Sequence, residues 1–284
     1  MASYPPLILV DNVADRINLY GSATLSSSGD AVGRGVQYVA DYRRERTYWQ
    51  AATAAANRYV QFDLGAGNSR QVDSCWIDRL ASPALGGLWG LTLAIEAGND
   101  GLAWPDTTSR VVPALGTVGG DPTTGWCVTE EGAIYALFSG FSARRYLRVR
   151  VVDVAQPTIT GLILGKRIQL LNYSSVVDED AGERFERSEQ SLIPGYSGSD
   201  RTYSARKIEL KLGLIGSSEY DSTTRSLRRL LFDVNQPAVV CTNYGTKPER
   251  AWLYKYSAPQ WSSPVSRTFR SATIPMYEVG PLIR

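Results

Sequence analysis

The sequence predicts a mainly β protein in two parts: a β-sandwich, then a smaller β-rich domain with one helix. Three observations carry this. Apolar and polar residues alternate with a period of two in many short runs, as Val60, Phe62 and Leu64 do against Gln61 and Asp63, the pattern of a half-buried strand. Gly-, Asn- and Asp-rich turn signals separate the runs. At 284 residues the chain has room for two ordinary domains.

Leu7–Val10 is a short apolar strand. Residues 21–35 are rich in Ser and Gly and read as loop. Asp41–Trp49 is charged and aromatic, a turn expected to pack Tyr48 and Trp49 on the sandwich. Ala51–Ala56 is too short to stand as a helix and reads as a connecting turn. Strands follow at Tyr59–Leu64, Val72–Leu80 and Leu88–Glu96, with Trp76 expected in the core. Ala97–Gly101 carries the Asp-Gly signal of a tight hairpin. After a second Gly-rich loop, 116–124, come strands at Trp126–Thr129, Ala133–Phe138, Tyr146–Asp153 and Thr158–Leu164. In the third of these, Arg148 and Arg150 share one face, and Leu147, Val149 and Val151 share the other.

Residues 169–202 are polar and mixed in charge, and read as a linker or an extended arm. Arg206–Ile215 then shows the most regular alternation in the chain. Glu219–Phe232 reads as a helix, with Leu227, Leu230 and Leu231 on one face. Asn235 and Pro237 end it. Pro237–Thr242, Ala251–Tyr256 and Val265–Pro275 are strands, and Asn243–Pro248 is a turn. The expected division is therefore a sandwich over 1–168, a linker or arm over 169–202, and a β domain with one helix over 203–284.

The composition narrows the chemistry. There is no histidine, which removes His-activated nucleophiles, His acid–base catalysis and His metal sites. Cys75, Cys127 and Cys241 are odd in number and lack zinc spacing, so they read as buried free thiols. The net charge of +2 is too small to argue for nucleic-acid binding. No Walker sequence follows Gly86–Gly90 or Gly116–Gly120. Asp178, Glu179 and Asp180 lack a calcium-loop pattern, and nothing singles out Glu130 and Glu131 as a hydrolytic pair. The expectation is no catalytic group, no cofactor and no metal. Met1–Pro6 opens no signal segment and Leu7–Val10 is too short to cross a membrane, so a chain made and soluble in the cytoplasm is expected.

Aromatic residues mark candidate contacts. Trp89 and Trp126 adjoin Gly-rich stretches and read either as core residues that anchor those loops, the favoured reading, or as candidates for stacking on a glycan or partner. Tyr196, Tyr203, Tyr244, Tyr254 and Tyr256 cluster late in the chain and, with arginines, have an interface composition. Phe185 and Leu192 would be buried on a neighbour if 169–202 is an arm.

Three segments carry a resemblance. Tyr59-Val-Gln-Phe-Asp-Leu-Gly65, Asn99-Asp-Gly-Leu-Ala-Trp104 and Arg145-Tyr-Leu-Arg-Val-Arg-Val151 resemble, in order and spacing, the discoidin (coagulation factor 5/8 C-type) family. Ala97-Gly98-Asn99 departs from that family's Ser-x-Asp opening. The resemblance covers about residues 20–168 and implies a galactose-binding-like jelly roll. With Trp49, Tyr59–Gly65 and Cys75-Trp-Ile77 in this order, the whole chain also resembles tail-tip structural proteins of long-tailed phages. In its succession of strand Ile208–Leu214, helix Glu219–Phe232, strand Ala238–Thr242 and final Tyr277-Glu-Val279, 203–284 is similar in style to the ring-forming domain of distal tail proteins. This implies a non-enzymatic subunit of a tail tip or baseplate, made in the host cytoplasm and carried in the virion. It would form a ring with itself and contact neighbouring tail proteins. The alternative is a carbohydrate-binding adhesin that uses loops of the jelly roll on a host glycan.

Overall fold

The computed structural model describes residues 6–10, 13, 23–40, 47–78, 87–169, 173–176, 184–193, 196–205, 207–216, 237–256, 260–261 and 269–278. The chain divides into two compact units, Met1–Gln169 with Ala238–Trp252, and Leu170–Pro237 with Leu253–Arg284. The expected mainly β architecture is what is found. Among the described residues the sole helical element is a five-residue 3-10 turn, Val36–Ala40.

The first unit is a β-sandwich. One sheet holds β2 (Thr24–Ser27), β4 (Arg58–Asp63), β6 (Thr92–Gly98), β7 (Asp106–Val111) and β10 (Tyr146–Val151), in the order β2-β4-β10-β6-β7. All its pairings are antiparallel. The second is built from β1 (Leu7–Val10), β5 (Ser74–Asp78), β8 (Cys127–Val128), β9 (Ile134–Leu137), β12 (Gly161–Gln169) and β17 (Ala238–Cys241), in the order β17-β1-β12-β5-β9-β8. A short pair, β3 (Trp49–Gln50) with β11 (Thr158–Ile159), completes the unit. Val60, Phe62, Leu93, Ile95, Leu147, Val149 and Val151 from the first sheet meet Cys75, Ile77, Ile134, Ala136, Leu162 and Leu164 from the second in one core. The period of two therefore places one face of each strand inside, as the alternation predicts.

The second sheet is buried on both faces. Ser74, Trp76 and Asp78 face away from the shared core and are still no more than 2% exposed. All four residues of β1 are likewise no more than 2% exposed. Strand β1 pairs with β12 on one side and with β17 on the other, Leu7 opposite Cys241 and Val10 opposite Ala238. Residues 238–252, expected in the second domain, thus cluster with the first, because β17 supplies the backbone partners of β1.

Three strands of the first unit fall where no strand was expected. Strand β2 lies in the stretch read as loop, β3 at the end of the run read as a turn, and β7 in the polar run after Trp104. As expected, Trp49 is buried and residues 51–56 connect strands.

The second unit contains β13 (Tyr173–Val176), β16 (Lys207–Gly216), β19 (Gln260–Trp261), β20 (Phe269–Glu278) and, from Leu253 on, β18 (Ala251–Tyr256). Strand β20 pairs with β16, β18 and β19, and β16 also pairs with β13. The region read as a linker or arm holds β14 (Arg184–Ile193), which pairs with β15 (Tyr196–Ala205) as an antiparallel hairpin of ten residues per strand. The expected helix Glu219–Phe232 and the acidic run 178–180 lie outside the described residues.

Candidate functional site

The three segments that carry the discoidin resemblance meet on the outer face of the five-stranded sheet. Strand β4 contributes Tyr59 and Asp63, strand β10 contributes Arg148 and Arg150, and strand β6 contributes Glu96. Glu96 is only 4% exposed. Its carboxylate accepts a short bond from Arg148 Nε and a bond of 2.6 Å from Arg150 Nη2. Arg150 Nη1 also donates to Asn57 Oδ1 at 2.5 Å. Arg148 stacks on Trp104, 3.9 Å from the ring centroid, with Tyr59 at 5.5 Å. Burial pushes the Glu96 carboxyl up, but the Arg150 and Arg148 hydrogen bonds outweigh it and hold the carboxyl below its ordinary value. Asp63, which ends β4, accepts Arg145 Nε at 2.6 Å and Nη2 at 2.8 Å, a two-pronged pair. Asp63 also caps the turn by accepting Gly65 N–H at 2.9 Å. The Arg145 bond, partly opposed by burial, lowers the Asp63 carboxyl below its ordinary value. These charges are spent on one another, so the motif residues fasten the sheet.

A different place offers unspent groups. The loop 119–125 and the turn 243–248, both in the first unit, enclose a groove of about 460 Å³. That is within the size range of small-ligand sites. Asp121, Thr123, Tyr244 and Pro248 line it.

Both walls are fastened from behind. Arg110, on β7, donates to four backbone carbonyls: Pro122 O at 2.8 Å, Gly125 O at 2.6 Å, Thr123 O at 2.8 Å and Leu137 O at 2.8 Å. Burial draws the Arg110 guanidinium below its ordinary value, with the Asp121 charge acting the other way. Gly120 has φ of +111°, and a Cβ there would sit 2.7 Å from the Trp126 carbonyl oxygen, so only glycine fits. On the other wall, Asn243 O accepts Thr246 N–H at 3.2 Å and Lys247 N–H at 2.9 Å. Pro248 O accepts the Tyr135 hydroxyl at 2.7 Å. Arg250 Nε pairs with Glu130 Oε1 at 3.3 Å.

At the mouth, Asp121 Oδ1 accepts Thr123 N–H at 2.8 Å and the Thr123 hydroxyl at 2.7 Å, while Oδ2 takes the Thr124 hydroxyl at 3.2 Å. The Thr123 bonds hold the Asp121 carboxyl below its ordinary value. Tyr244 is half-buried. Burial first, then the Asp121 charge, raises its phenol.

The residues singled out from sequence fall differently. Trp126 is 2% exposed and belongs to the core, its Nε1 donating to Arg110 O at 3.3 Å. Of its two sequence readings, a stacking surface and a loop-anchoring core residue, the structure bears out the second and corrects the first. Trp89 is half-buried and packs against the same core. Of the tyrosines, Tyr244 lines the groove. Tyr254 is fully buried on β18, which corrects its expected place at an oligomer interface. Phe185, Leu192, Tyr196 and Tyr203 fall on the β14–β15 hairpin and Tyr256 on β18, while their side chains lie outside the described residues. Arg110, Asp121 and Thr123 were missed. The Gly-rich loop was visible, but no sequence pattern ties Arg110 to the carbonyls it holds.

The three cysteines are buried and form no disulfide. Burial pushes the Cys127 thiol up to about 12. Among the described residues no group of three or more His, Cys, Asp or Glu side chains is arranged to hold a metal ion.

Compared with known protein families the chain matches none, and no curated protein matches it. Solved structures do match about half of it. The chain is similar to chitosan-binding module 1 of a chitosanase/glucanase from Paenibacillus sp. IK-5, at 14% identity and a TM-score of 0.35, covering 51% of this chain and 96% of that one. It is similar to the lectin domain of lectinolysin complexed with Lewis B antigen, at 12% identity and a TM-score of 0.37, covering 50% and 92%. A module of a Clostridium perfringens protein, CpGH89CBM32-5, in complex with GalNAc-β-1,3-galactose, matches at 10% identity and a TM-score of 0.36, covering 51% and 96%.

Proposed function

We propose that this chain is a non-enzymatic structural subunit of a phage tail tip or baseplate, of the distal or minor tail protein type. It assembles with copies of itself and with neighbouring tail proteins. The observation that carries the reading is the β14–β15 hairpin. Its strands pair only with each other among the described residues. At ten residues a strand the ribbon is roughly 30 Å long. A lone two-stranded ribbon is marginally stable in water. Its outer edges present backbone N–H and C=O groups ready for another chain. Arg184, Arg187 and Arg201 balance Glu186, Glu189 and Asp200 along it, so a second copy meets no net repulsion. The resemblance to tail-tip proteins supplies the kind of assembly.

The test compares the full chain with a variant in which residues 185–204 are replaced by a short Gly-Ser linker. Light scattering and negative-stain microscopy should show rings or larger oligomers for the full chain and loss of them for the variant. A full chain that stays monomeric and does not enter tails overturns the reading.

A second reading, a carbohydrate-binding adhesin, is favoured by the groove at Asp121 and Tyr244. A half-buried ring beside a carboxylate is a surface suited to a sugar. Binding of the full chain to a glycan array tests it, and an array without signal removes it.

A further inference from the structure

We propose that the groove between the loop 119–125 and the turn 243–248 binds a neutral saccharide, whose apolar face rests on Tyr244 and whose hydroxyls donate to Asp121. The proposal rests on the adhesin reading and assigns it a site. Half of that site lies outside residues 20–168, because Tyr244 and Pro248 come from the segment that follows β17.

The chemistry of the occupant follows from what the groove offers. A sugar ring presents C–H groups on one face and hydroxyls at its rim. Tyr244 supplies a ring for the face, and its hydroxyl has no partner among the described residues. Asp121 supplies acceptor capacity. A carboxylate has about four lone-pair sites, and three are used by Thr123 N–H, the Thr123 hydroxyl and the Thr124 hydroxyl. One remains on Oδ2, the oxygen with a single long bond of 3.2 Å.

A cationic occupant is disfavoured by the same atoms. The Asp121 charge already faces Arg110, whose own guanidinium is committed to four carbonyls. An added ammonium or guanidinium would bring a second positive charge within the field of Arg110. A hydroxyl donor brings none.

The walls are set before a ligand arrives. Arg110 fixes the loop, Gly120 lies against the Trp126 carbonyl, and the Tyr135 hydroxyl pins Pro248. Binding therefore orders little backbone, which favours affinity in a shallow site.

The experiment titrates the full chain by calorimetry with methyl glycosides of glucose, galactose and N-acetylglucosamine and with their β-linked disaccharides. The same titrations are run on Tyr244→Ala and Asp121→Asn. Circular dichroism and melting curves check that both variants stay folded, as expected for side chains at the groove mouth. At least one saccharide should bind the full chain. Asp121→Asn should weaken it at least about tenfold, the scale of a hydrogen bond to a charged group, and Tyr244→Ala should abolish it. If a saccharide binds and both variants bind equally well, the site is wrong while the adhesin reading stands. If no saccharide binds, both fall. If free arginine or lysine displaces the bound saccharide at equal concentration, the groove is a cation site and the assignment is overturned. Should Tyr244→Ala unfold, Tyr244→Phe serves in its place. It keeps the ring and removes the hydroxyl, and a loss smaller than that of Asp121→Asn is expected.

Discussion

Glu96→Gln is the sharpest test of how the outer face of the five-stranded sheet is held. The substitution keeps the side chain's volume and removes its charge. Arg148 and Arg150, with side chains 16% and 21% exposed, then share a face without their common counter-ion. Removing one partner of a fully buried pair costs about 3–5 kcal/mol. The residual exposure of both guanidinium groups returns part of that to water, and the Arg148–Trp104 stacking survives. The expected loss is therefore about 2–3 kcal/mol, or one to two orders of magnitude in the ratio of folded to unfolded chain. Urea denaturation followed by tryptophan fluorescence measures it.

The pH dependence carries its own sign. The Glu96 carboxyl lies below its ordinary value in the folded chain: burial pushes it up, but Arg150 and Arg148 outweigh burial. Its contribution is thus present above the unfolded value of about 4.3 and is lost as pH falls through the lower folded value. The gap between the native chain and Glu96→Gln should be constant from neutral pH down to about pH 5 and close below about pH 4. A variant within about 0.5 kcal/mol of the native chain at neutral pH, or a gap that widens in acid, refutes the account. So does an Arg150→Gln cycle that shows no coupling with Glu96→Gln.

Two further predictions concern the groove and the boundary of the first unit. Gly120→Ala places a Cβ 2.7 Å from the Trp126 carbonyl oxygen at φ of +111°. It should cost about 1–3 kcal/mol in thermal or chemical unfolding, and a change below about 0.3 kcal/mol would show that the loop is freer than described. A fragment ending at residue 169 lacks β17 and the turn that receives the Tyr135 hydroxyl. It should aggregate or melt well below the full chain, and a fragment as stable as the full chain would show that β17 is dispensable.

Strands β4 and β10 were legible because their buried residues are apolar and alternate. Strand β7 was hidden because its half-buried side is Asp106, Thr108 and Arg110. Asp106 is answered by Arg144 at 2.7 Å and Arg110 by four carbonyls, so burial there is balanced by polar partners and leaves no hydrophobic period. Strand β2 sits at a sheet edge with alternate residues exposed, and its Ser-rich sequence looks like a turn. The groove was half visible as a Gly-rich loop. Its other wall was not, because nothing local to Tyr244 announces a partner more than a hundred residues away. Trp126 was open to two readings because its Gly neighbours allow either exposure or close approach, and its burial decides for the core.

Strand β1 lies between β12 and β17, with Leu7 opposite both Gln169 and Cys241. A ribosome makes these three strands far apart in time. While residues 170–237 are being added, the first unit waits with one flank of an apolar strand uncovered. That interval is when Leu7–Val10 is exposed to wrong pairing, with a chaperone or with another nascent copy. Slowing translation between codons 170 and 237 should therefore lower the yield of soluble protein more than the same delay placed after codon 252.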